Sequence, residues 1–288
     1  MTKGFKSVLL HLRLPFSLLL LPVFLFAIAN VTIVNNTSAV LVFLILHLFI
    51  YPASNGYNSF FDKDEGSIAL IKMPPKVNYS LYITAISLEW VGVLLALLVN
   101  IKFGVCVLMY NFLSKAYSHP SIRLKKYPII SFLVVFIFQG GFIYYTVYTA
   151  VASDFIAFTA DDFIPALICS CLIGASYPLT QIYQHSEDGK RGDKTLSILL
   201  GYKGSFVFAG LVFFLGLSLM CYFWLKQEQL FNFYVFAACC LPLFAYFNWW
   251  FFKVIKDNKA ANFVNAMRMT LLSGITMLGY FTWLVLAT

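Results

Sequence analysis

Apolar runs of about 20 residues, divided by short charged stretches, recur along this 288-residue chain. Each is long enough to cross a bilayer core of roughly 30 Å, where every backbone polar group must bond internally, so helices are expected. A transmembrane barrel needs short segments of strict alternation. The run from Ile129 to Ala150 is mostly apolar without it, and the barrel drops out. With 61% apolar and only 11% charged residues, the chain is too apolar for a soluble domain of its length. Nine spans are read, at 15–34, 38–59, 79–99, 101–118, 128–150, 160–184, 203–226, 229–252 and 264–287. The expectation is an all-α polytopic membrane protein, residues 1–288 forming a single membrane domain around a lipid-accessible cavity.

The first run, Pro15 to Ile33, follows Lys3, Lys6 and Arg13 as a secretory signal would, but no A-x-A-type cleavage pattern ends it, so it is read as a span. The six cysteines all fall inside apolar runs without metal-ligand spacing; they are read as small core residues, not as disulfides or a zinc site. Nine spans put the termini on opposite sides. Of the 20 Lys and Arg residues only Lys102 and Lys226 fall on one side, whereas the facing side has short or acidic connections such as the stretch with Asp154, Asp161 and Asp162. By the positive-inside tendency, the N-terminus and the three polar loops 60–78, 119–127 and 185–202 are cytoplasmic. The net charge of +8 is thereby topological, and nucleic acid is not an expected partner.

Two of those loops begin alike. The second span ends in Asn55, Asn58 and Asp62 and the sixth in Gln181, Gln184 and Asp188, each a carboxamide, a carboxamide three on and a carboxylate four on. On a helix this spacing makes one stripe, so two oxygen-rich stripes are expected to face each other across the bundle. A single such triplet reads equally well as a polar helix end at the headgroups; a matched pair favours a site. Oxygen donors suit Mg²⁺, which commonly links one or two carboxylates to substrate phosphates. Arg123, Lys125 and Lys126 in the middle loop, with Lys190, Arg191 and Lys194 after the second triplet, supply the charge that an anionic ligand needs.

Three segments resemble the UbiA superfamily of intramembrane prenyltransferases. Ser54-Asn-Gly-Tyr-Asn-Ser-Phe-Phe-Asp62 is similar to its first aspartate-rich motif. Tyr117 to Pro128 is similar to its Tyr, Ser, Pro, Arg-Leu-Lys loop. Gln181 to Leu196, followed by Gly201, is similar to its second motif. The resemblance implies a helical bundle that binds an isoprenyl diphosphate through Mg²⁺ and transfers the prenyl group to an aromatic or other lipophilic acceptor in the membrane. Carried over, Asn58, Asp62, Gln184 and Asp188 would be metal ligands and catalytic. Asn55, Tyr117, Arg123, Lys125, Gln181, Lys190 and Lys194 would contact the substrate. The sequence departs from the family where four usual aspartates are the carboxamides Asn55, Asn58, Gln181 and Gln184, which still offer oxygen but no charge. Metal affinity should fall, and Asp62 and Asp188 should matter more.

Glu89, in the middle of the third span, is a catalytic candidate beyond the motifs, able to take a proton or stabilise a cation. It is read with equal weight as a structural carboxyl paired with another helix. His47 shares a helix face with Asn55, Asn58 and Asp62 and is read as packed and hydrogen-bonded in preference to catalytic. Asn111, Gln139, Asn248 and Asn265 read as interhelical hydrogen-bonders. Two further functions stay open beside the transferase: a terpene cyclase on the same fold, and a non-catalytic lipid-binding or transport protein.

Overall fold

Asparagine starts three of the helices. Asn35, Asn78 and Asn100 each accept the N–H of the residue three on, from Ser38, Leu81 and Phe103, and so satisfy donors that a helix leaves open at its first turn. In the computed structural model, which describes residues 3–153 and 158–287, the helices are α1 (Gly4–Ala29), α2 (Asn36–Asp62), α3 (Tyr79–Val99), α4 (Ile101–Ser118) and α5 (Pro128–Val151). They continue as α6 (Phe163–Gln181), a short α7 (His185–Arg191), α8 (Leu196–Lys226), α9 (Leu230–Lys256) and α10 (Phe263–Ala287). Among the described residues the only β pairing is two isolated bridges. Asp154 lies outside the described residues.

The chain is an all-α, multi-pass integral membrane protein, with a correction to the expected count. Among the described residues eight helices, not nine, are long and apolar enough to cross a membrane. The exception, α4, is a helix of 18 residues, but Lys102, Asn111, Ser114 and Lys115 interrupt its apolar character. It still packs against α3 and α2 as part of the bundle.

The packed core sits at one end. Phe26, Val151, Phe223, Trp224, Phe236, Phe281 and Leu284 are buried together, and they come from the ends of helices remote from the three polar loops. Lys226 Nζ pairs with Asp161 Oδ1 at 2.5 Å at that same end. Smaller buried clusters, such as Leu179, Ile182, Phe206 and Trp250, pack the other half.

Two spans widen locally to π-helix, at Ile45–Ile50 in α2 and Phe136–Gly141 in α5. In α2 the cause is Pro52, which has no N–H for the carbonyl of Leu48. In α5 it is a neighbour, since Ser170 Oγ of α6 accepts the N–H of Gly141 at 2.9 Å and draws it out of the helical ladder. Only glycine fits beside that contact: a Cβ on Gly140 would overlap the backbone of Ser170. Gly201, at φ 69°, breaks α8 near its start, where Ser197 and Ser205 then join hydroxyls at 2.9 Å.

The sixth span also differs from its reading. Helix α6 ends at Gln181, and Asp188 stands on the separate helix α7, so the second triplet does not lie along one helix face. The loop reversal between them, not helical spacing, carries Asp188 to its place.

Candidate active site

At the polar end, α1, α2, α4, α6, α7 and the segments that follow α2, α4, α6 and α7 line a cavity of about 190 Å³. Asn58, Asp62, Gln181, Gln184, Asp188, Tyr117 and Lys125 all line it, so the structure brings together seven of the residues singled out from the sequence. Asn55 lies one turn deeper and lines two adjoining cavities.

Two basic side chains from the middle loop hold the carboxylates. Lys125 Nζ is 2.5 Å from Asp62 Oδ1, and Arg123 forks onto Asp193 through Nε and an NH2 group at 2.9 and 2.8 Å. The Asp193 carboxyl lies below its usual range: burial pushes it up, and the Arg123 hydrogen bonds with the charges of Lys125, Arg123 and Arg191 outweigh that. Asp188 is pushed up to about 7 by burial, against the opposing pull of Lys125 and Arg191. Arg123 is thus committed to Asp193, and its nearest approach to Asp62 is 3.9 Å. Lys190 and Lys194 are exposed and do not line the cavity.

Carboxamides complete the ring of donors. Asn58 gives its N–H to Ser118 Oγ at 2.6 Å and Gln184 gives its own to the Ser67 carbonyl at 3.2 Å, which leaves both amide oxygens available. Gln181 Oε1 is taken by the backbone N–H of Ser197 at 3.3 Å. Among the described residues no group of three His, Cys, Asp or Glu side chains stands close enough to hold a metal. Asp62, Asp188, Asn58 and Gln184 line one cavity with oxygen donors of the kind that Mg²⁺ takes alongside water and phosphate.

Arg191 ties the two motif regions together. One NH1 group reaches Asp64 Oδ1 at 2.6 Å and the Asp62 carbonyl at 2.8 Å, while Glu187 on the same helix accepts the backbone N–H groups of Glu65 and Gly66 at 2.8 and 3.2 Å. Asp64, Glu65 and Glu187 serve this strap.

Sequence reasoning missed Arg13, treating it as a topology signal. It occupies a left-handed break in α1 at φ 48°, donates to the Asn55 carbonyl at 3.4 Å and lines the polar cavity. Its buried Nε has no hydrogen-bond partner. The available clue was Pro15 two residues on, which marks a helix restart. Tyr177 was missed too; its hydroxyl meets that of Tyr117 at 2.8 Å on the cavity wall.

Glu89 lies elsewhere. It is buried between α3 and α4 with Lys115 Nζ at 2.7 Å, and it lines none of the cavities described here. The structural reading of Glu89 fits this geometry. Glu89→Ala should lower stability by about 2 kcal/mol by stranding Lys115, and adding Lys115→Met should recover most of it, as thermal unfolding in detergent would show. His47 is packed among Phe24, Phe43 and Tyr51.

Below the polar cavity the space continues and loses polarity. A middle cavity of about 170 Å³ adjoins it along Phe16, Tyr177 and Thr180, and a smaller one of about 120 Å³ adjoins the middle along Leu172, Ser176, Ser273 and Met277. The last is walled by Phe213, Phe214, Phe244 and Phe247, of which Phe214 and Phe244 are also exposed on the outer face.

A sequence model of the UbiA prenyltransferase family matches residues 19–273. A UbiA homologue from Archaeoglobus fulgidus bound to DMAPP and Mg²⁺ is similar in fold, with a TM-score of 0.72 at 17% identity over 98% of this chain and 100% of the other. The same homologue bound to GPP and Mg²⁺ gives 0.70 at 19% identity, over 97% and 99%. A digeranylgeranylglyceryl phosphate synthase structure gives 0.63 at 18%, over 99% and 98%. No curated protein sequence matches the chain. The family match over most of the length, on a bundle of the same fold, establishes that this chain belongs to the UbiA prenyltransferase family.

Proposed function

We propose that the chain is an intramembrane prenyltransferase that ionises an isoprenyl diphosphate with the help of Mg²⁺ and passes the prenyl group to a lipophilic acceptor. The observation that carries this reading is the gradient of the cavities: a charged chamber with Asp62, Asp188 and Lys125 opens onto a polar and then an aromatic, apolar space. An amphiphile with a diphosphate head and a hydrocarbon tail matches that order. The A. fulgidus relative was solved with such molecules and Mg²⁺. Residues 1–288 act on this reading as one domain, with the N-terminus and the polar cavity on the cytoplasmic side, where the basic loops favour it.

Asn58, Asp62, Gln184 and Asp188 are the proposed metal ligands. Mg²⁺ held there supplies positive charge to the diphosphate oxygens as they leave. Lys125 and Arg13 contact the same oxygens, while Arg123 orients Lys125 through their shared partner Asp193. Tyr117, paired with Tyr177, positions the head group. The bond between the allylic carbon and the bridging oxygen breaks with its electrons on the diphosphate. The acceptor's electron pair then forms the new bond to that carbon, and its displaced proton leaves with the diphosphate.

The test is release of inorganic diphosphate from labelled isoprenyl diphosphates, with and without Mg²⁺ and with and without a lipid extract as acceptor source. Release that needs both supports the transferase. Release with a hydrocarbon or alcohol product and no acceptor replaces it with a cyclase, and no release by a folded protein leaves a binding role. Lys125→Met should raise the KM for the isoprenyl diphosphate about tenfold, the worth of one charge-assisted hydrogen bond. It should also raise Mg²⁺ affinity of the substrate-free protein, because it removes the cation that sits on Asp62.

A further inference from the structure

We infer that His185 is a positioning residue: a chain of buried hydroxyls ties it to the start of α8, and the tie holds Asp188 at the polar cavity. This rests on the metal site proposed above and adds a residue that lines none of the cavities described here. His185 Nε2 lies 2.7 Å from Ser197 Oγ, which lies 2.9 Å from Ser205 Oγ, which in turn lies 2.8 Å from the Gly201 carbonyl. Ser197 and Ser205 are fully buried, so each must find its partners within the protein.

Counting hydrogens gives the chain its direction. A carbonyl has none to give, so Ser205 supplies the contact with Gly201 and Ser197 supplies the one with Ser205. The remaining contact falls to His185, whose Nε2 is thereby assigned the proton and donates to Ser197. Tyr202 keeps the ring in the plane this requires, stacked on it at 4.5 Å between centroids and 14° between planes. Gly201 makes the geometry possible: its left-handed turn breaks α8 between the two serines.

The chain meets the site at two points. His185 opens α7 one turn before Asp188, on the same helix face, so fixing the histidine fixes where that carboxylate stands. Ser197 also donates its backbone N–H to Gln181 Oε1 at 3.3 Å, joining the end of α6 to the same anchor. Helix α7 has only seven residues and no side-chain cap at Gln184, so it takes its direction from its surroundings. Glu187 and Arg191 tie it to the segment after α2, and His185 ties it to α8. Groups that orient a ligand in this way govern metal affinity without touching the metal.

The experiment crosses two variants of the purified full chain in detergent. His185→Phe keeps the ring on Tyr202 and loses the donor; His185→Gln loses the ring and keeps an N–H near the place of Nε2. Binding of Mn²⁺ in the presence of inorganic diphosphate, read by electron paramagnetic resonance, follows the metal site without turnover. His185→Phe should weaken Mn²⁺ about tenfold and raise the Mg²⁺ needed for half-maximal diphosphate release by a similar factor. At saturating Mg²⁺ its KM for the isoprenyl diphosphate should change less than about twofold, and His185→Gln should stay within about threefold of wild type in all three readings. Mn²⁺ affinity unchanged in His185→Phe, or weaker in His185→Gln than in His185→Phe, overturns the proposal. If thermal unfolding shows that His185→Phe does not fold, His185→Gln decides: retained affinity supports the donor chain and a tenfold loss overturns it. Donor-dependent Mn²⁺ binding without any diphosphate release overturns the transferase and not the positioning role; release with donor-independent binding does the reverse. No Mn²⁺ binding by the wild type overturns the metal site and this role with it.

Discussion

Asp62→Asn and Asp188→Asn should each reduce diphosphate release at least about a hundredfold at saturating substrate and Mg²⁺. These two carboxylates supply the negative charge of the proposed metal site, because the positions beside them, Asn58 and Gln184, offer neutral oxygens. Removing either halves that charge while keeping shape and one oxygen donor, so the loss falls on chemistry more than on packing. Folding should change far less, with Asp62→Asn the more sensitive because it leaves Lys125 without its 2.5 Å partner. Diphosphate release and thermal unfolding, measured on the same preparations, separate the two effects. Activity within tenfold of wild type in either variant would mean that the reacting head group is held elsewhere.

Gly140→Ala should destabilise the bundle by about 3 kcal/mol. A methyl group there would come within 2.7 Å of the Ser170 backbone nitrogen, and backbone cannot turn aside as a side-chain tip can. Helices α5 and α6 would have to separate, with loss of the hydrogen bond from Gly141 to Ser170 and displacement of Gln139 from the cavity wall. Gly210→Ala is the control: its Cβ would meet only Phe247 at 3.8 Å, and stability should stay within about 0.5 kcal/mol. Denaturant unfolding in micelles reads both. Equal midpoints for the wild type and Gly140→Ala would show that the helices do not approach closely at this point.

Hydrophobicity made the helices legible, because in lipid the run length and the helix length are governed by the same bilayer thickness. Helix α4 shows the limit of that argument: Lys115 is accommodated by Glu89 on a neighbouring helix, a pairing that no single run contains. Spacing found the site residues where one continuous helix carried them, as with Asn58 and Asp62 on α2. It reached Asp188 for the wrong reason, since the break after Gln181 depends on loop packing. Arg13 stayed hidden because a basic residue before a span signals topology and ligand contact in the same letter.

The graded cavities also bear on where the products go. On the proposed reaction, diphosphate is freed between Lys125 and Arg13 at the end facing water, while the enlarged lipid is left beside Phe214 and Phe244, which meet the bilayer. Each product is already in its preferred phase when it forms. Recombination then requires one of them to travel back across a solvent boundary, so the shape of the interior gives the turnover its direction without any moving part.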